Sequence, residues 1–394
     1  MKIGFIGLGK LGLPCAEVIA TKGHNVTGYD VRKVESKDVT VCPTIKGCVE
    51  DRDIVFVAVP TPHDPNYDGR APTAHLEPKD FSYDTVIEVL TEANKHMNKD
   101  QLLVLISTVL PGTTRREFVP LVTNTRFVYN PYLIAMGSVS SDMINPDIVM
   151  IGTEDGTLTG DALQLRKFYE SIMENDPSYE IGTWDECECI KVFYNTFIST
   201  KIGLVNMIQD VAEKQGNINV DIVTTALGNC DKRITSNAYM KAGMGDGGAC
   251  HPRDNIALRY MAKNLNLGYD IFDAIMNARE VQAKNIAKIL VEVAKDKDLP
   301  ILINGVAYKP GVPYQDGSYA LLVAHYCTEM HHTPMLIDPY IDLGNGEEYR
   351  AVALLAHPEL YVNLTSDSVV VDPWRQHTSK KYKVMHYGNT RGYL

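Results

Sequence analysis

The sequence predicts an α/β protein: two doubly wound, parallel-sheet domains joined by an all-helical central segment. Three observations lead there. Short apolar runs of strand length alternate with helical stretches through the first part of the chain. From about Asp185 the strand signal stops, and Ile190, Phe193, Phe197, Ile202, Val205 and Ile208 recur at three- to five-residue steps, the spacing of a helical face. Near Leu299 the alternation of strands and helices resumes. Strands that alternate with helices imply parallel sheets covered on both faces. The boundaries so placed are 1–185, 186–296 and 297–394.

Lys2–Ile6 is a short apolar strand, Leu13–Thr21 a helix stopped by Lys22-Gly23, and His24–Tyr29 a second strand closed by Asp30. Between the first strand and the helix, Gly7, Gly9 and Gly12 fit G-x-G-x-x-G. The first glycine permits the tight turn, the second lets the backbone approach a pyrophosphate, and the third lets helix and strand pack closely. The free N–H groups of the helix start favour an anion there. An acid closing the next strand is placed for a ribose diol and disfavours a 2′-phosphate, so the turn is a Rossmann-like site for NAD, with Arg32 and Lys33 beside Asp30 as competing cations. Strands follow at Ile54–Val59, Leu102–Ser107, Arg126–Tyr129 and Ile148–Ile151, with a helix over Tyr83–His96. Residues 186–230 and 253–295 read as helical. The last domain has a strand from Leu299 ending at Gly305, a helix over Tyr319–Met330, and strands at Met335–Ile337 and Ser368–Val371.

With 38 Lys and Arg against 49 Asp and Glu in 394 residues, the formal charge is −11, which repels phosphate backbones and argues against nucleic-acid binding. No apolar run approaches the ~18 residues of a membrane span. Glycines and Glu17 interrupt the apolar N-terminus, which argues against a secretory leader. Eight scattered cysteines form no Cys-x-x-Cys pair and no metal site, which fits reduced thiols in the cytoplasm.

Five further segments, with the glycine turn, resemble the UDP-glucose/GDP-mannose dehydrogenase family: Val59-Pro-Thr-Pro62, Ser107-Thr-Val-Leu-Pro-Gly-Thr-Thr114, Lys191-Val-Phe-Tyr-Asn195, Gly247-Gly-Ala-Cys-His-Pro-Arg-Asp254 and Gly305-Val-Ala-Tyr-Lys-Pro310. They stand in the family's order, from residue 1 to about 375. The resemblance implies an NAD-binding domain, a helical middle that forms a homodimer, and a C-terminal nucleotide-sugar domain. It also implies two successive oxidations of a sugar primary alcohol to a carboxylate, UDP-glucose to UDP-glucuronate by default, with a UDP-N-acetylhexosamine or GDP-mannose as other substrates.

Two oxidations at one carbon require the intermediate aldehyde to stay bound, which a cysteine achieves by adding to it, passing from thiohemiacetal to thioester. Cys250 follows a glycine-rich loop, opens a helical run and matches the family's nucleophile. Lys191 and Asn195, four apart on one helix face, match the residues that hold the negatively charged oxygen. Asp254 matches a carboxylate that handles the proton or water, and Thr108 a residue near the nicotinamide. By the same resemblance Thr61 contacts the cofactor, and Arg233, Lys241, Gly247 and Lys309 the sugar nucleotide, Arg233 from across the dimer; Lys33, close to Asp30, is also expected at the cofactor.

The chain also departs from the family. Asn130-Pro-Tyr-Leu-Ile-Ala-Met136 carries Tyr132 and Met136 where the family has two acids; either the hydroxyl of Tyr132, by positioning water, or Asp254 is expected to stand in for the first, or hydrolysis is slow. Asp316 replaces an arginine, Asp246 stands where an aromatic is common, and His251 where an apolar side chain is common. The end of the last domain reads Asp372-Pro-Trp-Arg375. Two alternatives remain: a β-hydroxyacid or 6-phosphogluconate-type dehydrogenase, which needs neither Cys250 nor a third domain, and a nucleotide-sugar binding protein that has lost turnover.

Overall fold

A computed structural model describes residues 1–62, 79–134, 138–236, 241–246, 250–341, 343 and 347–389. Of residues 202, 203, 206, 250, 251, 253, 254 and 257 it describes the backbone alone. Met136, Gly247 and the side chains of Cys250, His251 and Asp254 therefore lie outside the described residues. The chain divides into two compact units, Met1–Lys201 and Ile202–Leu394.

The first unit is built on an eight-stranded sheet in the order β3-β2-β1-β4-β5-β6-β7-β8. Its strands are β1 (Lys2–Ile6), β2 (Asn25–Tyr29), β3 (Thr40–Val41), β4 (Ile54–Val57), β5 (Leu102–Leu105), β6 (Arg126–Tyr129), β7 (Ile148–Thr153) and β8 (Ser178–Thr183). Its helices are α1 (Gly12–Thr21), α2 (Ile45–Val49), α3 (Asp84–Lys95), α4 (Val139–Ile144) and α5 (Gly160–Glu170). All neighbouring strands are parallel except β6 and β7, which meet antiparallel at Tyr129 and Gly152. The apolar runs divide by parity. Ile54 and Phe56 of β4 and Leu102 and Val104 of β5 pack beneath α1 and α5, whereas Val55, Val57, Leu103 and Leu105 pack beneath α3. A strand buried on both faces needs such a continuous run, because successive side chains point to opposite sides.

Helix α6 (Trp184–Gln215) begins at the end of β8 and continues past the division between the units. The helical stretch expected over 186–230 breaks where Gly216 and Asn217 take positive φ, and α7 (Val220–Gly228) follows, capped by the Asn219 side chain. Likewise Asn266 and Gly268 at positive φ separate α8 (Cys250–Asn264) from α9 (Ile271–Lys297). Helix α9 joins two cores of the second unit. Near its start Phe272 packs with Met207, Ala262 and Leu267, and farther along Ile286, Leu290 and Val291 cover the second sheet.

That sheet is wholly parallel, in the order β10-β9-β11-β12-β13. Its strands are β9 (Ile301–Asn304), β10 (Met335–Ile337), β11 (Val352–Leu355), β12 (Val369–Asp372) and β13 (Lys383–His386), with α10 (Tyr319–Glu329) packed beside α9. The predicted architecture of two Rossmann-like sheets with helices between is the one observed.

Candidate functional site

In an open parallel sheet, ligands bind beyond the carboxyl ends of the strands, where the strand order reverses. In the first sheet that point lies between β1 and β4. A cavity of about 790 Å³ opens there, and Gly7, Asp30, Thr61, Thr108, Tyr132 and Lys191 are among its lining residues. The glycine turn fits a dinucleotide. Gly7 has φ +93°, and a Cβ there would lie 2.5 Å from the carbonyl oxygen of Ala58. A Cβ at Gly12 would lie 1.8 Å from the Gly7 oxygen, so only glycine lets α1 start this close to β1. Gly9 by contrast is open, its nearest neighbour Arg32 Nη2 at 3.5 Å, which leaves room for a pyrophosphate against the backbone.

Asp30 closes β2 with its side chain 8% exposed, beneath an Arg32 that is 68% exposed. Arg32 donates through Nε to Asp30 Oδ1 at 3.1 Å, through Nη2 to Oδ2 at 3.3 Å, and through its backbone N–H at 2.9 Å. Burial alone would raise the Asp30 pKa, but the hydrogen bonds and charge of Arg32 outweigh it and hold the carboxyl below its usual value. Lys33 pairs with Glu35 at 3.0 Å in the open and lines a shallow groove with Lys10 and Arg32.

The Thr61 hydroxyl donates to the Thr108 carbonyl at 2.7 Å, and Ser107 Oγ to the Val59 carbonyl at 2.6 Å, so the two loops that carry the cavity's rim are stitched together. Lys191, reaching in from α6, donates to the backbone carbonyl of Tyr132 at 2.6 Å. Burial lowers its pKa below the ordinary 10.5. The Tyr132 hydroxyl expected to position water is instead turned to that of Tyr169, 2.9 Å away, which in turn donates to Asn130 Oδ1. In this conformation the hydroxyl is engaged by Tyr169, and the residue's carbonyl is the group that meets Lys191. Asn195 is exposed one turn beyond Lys191 and is not among the residues lining the cavity.

Sequence reasoning missed Glu188. It is fully buried and accepts the N–H of Gly112 at 2.6 Å and of Thr114 at 2.7 Å, tying the Ser107–Thr114 segment to α6. Arg115 adds an ion pair with Asp185 at 2.9 Å.

The second sheet has its own reversal between β9 and β11, and a smaller cavity of about 190 Å³ lies at those carboxyl ends. Met244, Gly245, Lys309, Tyr319, His357 and Trp374 line it. Asp338 closes β10 as Asp30 closes β2, but it is buried and accepts the N–H groups of Ala307 at 2.6 Å and Tyr340 at 2.7 Å. Here the acid braces the turn. Arg233 and Lys241 are exposed and line neither cavity, and Asp316 is also exposed. Helix α8 begins at Cys250. Among the other cysteines, burial pushes Cys15 and Cys187 up to about 12, which fits inert packing. Among the described residues no group of three or more His, Cys, Asp or Glu could hold a metal, and no helix is long and apolar enough to cross a membrane.

Residues 31–173 match the NAD binding domain of the UDP-glucose/GDP-mannose dehydrogenase family, and residues 185–281 match its central domain. A UDP-glucose 6-dehydrogenase from Rickettsia prowazekii (strain Madrid E) is 29% identical over 331 residues, covering 79% of this chain and 74% of that protein. UDP-glucose 6-dehydrogenase YwqF from Bacillus subtilis (strain 168) is 26% identical, covering 82% and 76%. The ternary complex of GDP-mannose dehydrogenase from Pseudomonas aeruginosa shares the fold, with a TM-score of 0.81 over 98% of this chain and 99% of that one at 20% identity. Of the enzyme classes compatible with the sequence, these matches select one: the chain belongs to the UDP-glucose/GDP-mannose dehydrogenase family and is an NAD-dependent nucleotide-sugar dehydrogenase.

Proposed function

We propose that the protein oxidises the primary alcohol of a UDP-hexose to the carboxylate in two steps, with UDP-glucose giving UDP-glucuronate. The observation that carries this is Lys191, a desolvated cation facing the same cavity as the glycine turn and Asp30. The names of the relatives support UDP-glucose over other sugars. Bound NAD supplies the two-electron acceptor for each oxidation.

The chain's residues do the rest. Lys191 donates to the substrate oxygen as charge develops on it, a contribution of about 3 kcal/mol for one such donor. Asn195 joins it once substrate closes over α6. The Cys250 thiol adds across the aldehyde C=O, sulfur to carbon and proton to oxygen, giving a thiohemiacetal. Loss of a hydride from that carbon and of the hydroxyl proton gives the thioester, and water then cleaves the C–S bond, returning the thiol and releasing the acid. Asp254, four residues after Cys250 on α8, takes the base role that the family gives to the acid replaced by Tyr132. The C-terminal cavity with Lys309 holds the nucleotide, and Lys241, Gly247 and, from a second copy, Arg233 are further contacts to the sugar nucleotide.

On this reading residues 1–185, 186–296 and 297–394 act as cofactor, dimerisation and nucleotide domains. The exposed Phe193 (63%), Phe197 (60%), Ile222 (68%) and Tyr260 (71%) support a second copy as the cover of the helical segment. The reduced thiols fit action in the cytoplasm. The test is NADH production against a panel of UDP- and GDP-sugars with mass analysis of product. Two NADH per UDP-glucuronate is the expected result. One NADH per substrate, or turnover of GDP-mannose in preference, overturns it. Sedimentation tests the dimer: a monomer at micromolar concentration refutes it.

A further inference from the structure

Asp246 replaces an aromatic common in the family, and the structure gives it a partner. Arg279 of α9, its side chain 10% exposed, donates through Nε to Asp246 Oδ1 at 2.5 Å. Its Nη2 reaches the carbonyl of Asp246 at 3.5 Å and that of Gly317 at 3.2 Å. The guanidinium lies 5.4 Å from the ring centre of Tyr319, whose hydroxyl donates back to the Arg279 carbonyl at 3.2 Å. One buried arginine thus grips the loop, the turn before α10 and an aromatic face at once, which its fixed fork of donors allows and a lysine would not.

The segment leading into Asp246 is held equally closely. A Cβ at Gly243 would lie 2.2 Å from the Trp374 ring, and one at Gly245 would lie 2.1 Å from the Tyr319 ring. Arg375 Nη2 donates to the Ala242 carbonyl at 2.6 Å. Met244 packs on the core of the second sheet. Met244 and Gly245 line the C-terminal cavity, and helix α8 starts at Cys250, five residues on from Gly245.

We propose that Asp246 and Arg279 are positioning residues for Cys250: their ion pair fastens residues 242–246, just ahead of the start of α8 at Cys250, to α9 and to the turn before α10. The inference rests on the nucleophile role of Cys250 given above. It also explains the lost aromatic, because the loop is held by charge on α9.

The test uses the full chain with UDP-glucose and NAD. Asp246→Asn, Asp246→Ala, Arg279→Ala and the double alanine variant are compared with wild type and with Cys250→Ser. Misplacing a reacting group costs one to two powers of ten, so kcat should fall about tenfold in Asp246→Ala and Arg279→Ala. The KM for NAD should stay within about twofold, since neither residue lies in the unit that carries the glycine turn. Asp246→Glu should recover most of the rate. The double variant should be no slower than the slower single, as expected of two residues acting as one unit.

The second readout is iodoacetamide labelling of Cys250, followed by peptide mass mapping with exposed Cys230 as internal reference. Labelling should quicken about threefold or more in the alanine variants while kcat falls, because the start of α8 is no longer held in one place. Unchanged kcat and labelling in Asp246→Ala, or additive losses in the double variant, overturn the proposal. If Arg279→Ala does not fold, Asp246→Asn, which keeps the shape of the side chain, decides on the same two readouts. Wild-type turnover without dependence on Cys250 refutes the nucleophile reading instead, and labelling still shows whether the pair holds the loop.

Discussion

The Nζ of Lys191 donates a 2.6 Å hydrogen bond to the backbone carbonyl of Tyr132, on the wall of the cofactor cavity. A backbone carbonyl orients an ammonium without neutralising it, so the donor keeps its charge for the substrate. Burial lowers its pKa below 10.5, so the alkaline limb of kcat should lie below that pH. Lys191→Met should lower kcat by about 100- to 1,000-fold, and Lys191→Arg should move the limb upward. The folded chain releases the Lys191 proton more readily than the unfolded one, so stability gains from this group as pH rises from the folded pKa towards 10.5. At neutral pH Lys191→Met should therefore be the more stable protein in urea, an advantage that shrinks through that window. An alkaline limb unmoved in Lys191→Arg assigns it to another group.

Glu188 sits one turn before Lys191 and holds the Gly112 and Thr114 N–H groups. Burial raises its pKa above 4.5, against the opposing effect of those hydrogen bonds. Removing the carboxylate leaves two buried donors unmet, so Glu188→Ala should cost about 2–4 kcal/mol. Because the folded state holds this proton more tightly, wild-type stability should fall as pH rises from 4.5 through the folded pKa. Glu188→Gln lacks that slope. Parallel urea midpoints for wild type and Glu188→Gln across this range would show that the carboxylate is not desolvated.

The hydroxyl of Tyr132 is the group expected to position water in place of the missing acid. It meets that of Tyr169 at 2.9 Å, and burial pushes its pKa well above 10. Tyr132→Phe should cost about 1 kcal/mol of stability and leave thioester breakdown unchanged in single-turnover assays. Slowed breakdown would mean the hydroxyl leaves Tyr169 for the substrate.

What the sequence made legible was local. The glycine turn, β1, β4, β5 and Asp30 are contiguous signals, each read within one strand–turn–helix unit. Strand β11 was missed because Ala351-Val-Ala-Leu-Leu-Ala356 is as good a helix former as a strand. Strand β8 was missed because its burial alternates around Glu180 at a sheet edge. Glu188 was invisible because its partners lie 74 and 76 residues away in sequence. Asp246 was noticed as a departure, yet nothing local to it points to Arg279. Long-range pairs of buried polar groups have no periodicity, so only the folded chain reveals them.

Cofactor choice turns on Asp30 and its cover. Arg32 neutralises the carboxylate now and must yield it to accommodate a ribose diol, whose two hydroxyls then donate to Asp30. With the carboxylate removed, the same guanidinium loses its partner and faces the ribose position beside Lys10 of the adjoining groove. Asp30→Ala should raise the KM for NAD about tenfold or more, the loss of a charge-assisted pair of hydrogen bonds. The same change should raise kcat/KM for NADP, and adding Arg32→Ala should abolish that gain while leaving the NAD defect in place. Steady-state kinetics with both cofactors at fixed UDP-glucose provide the measurement. Equal use of NADP by Asp30→Ala and by the double variant would show that Arg32 serves only to hold β2's acid in the free protein.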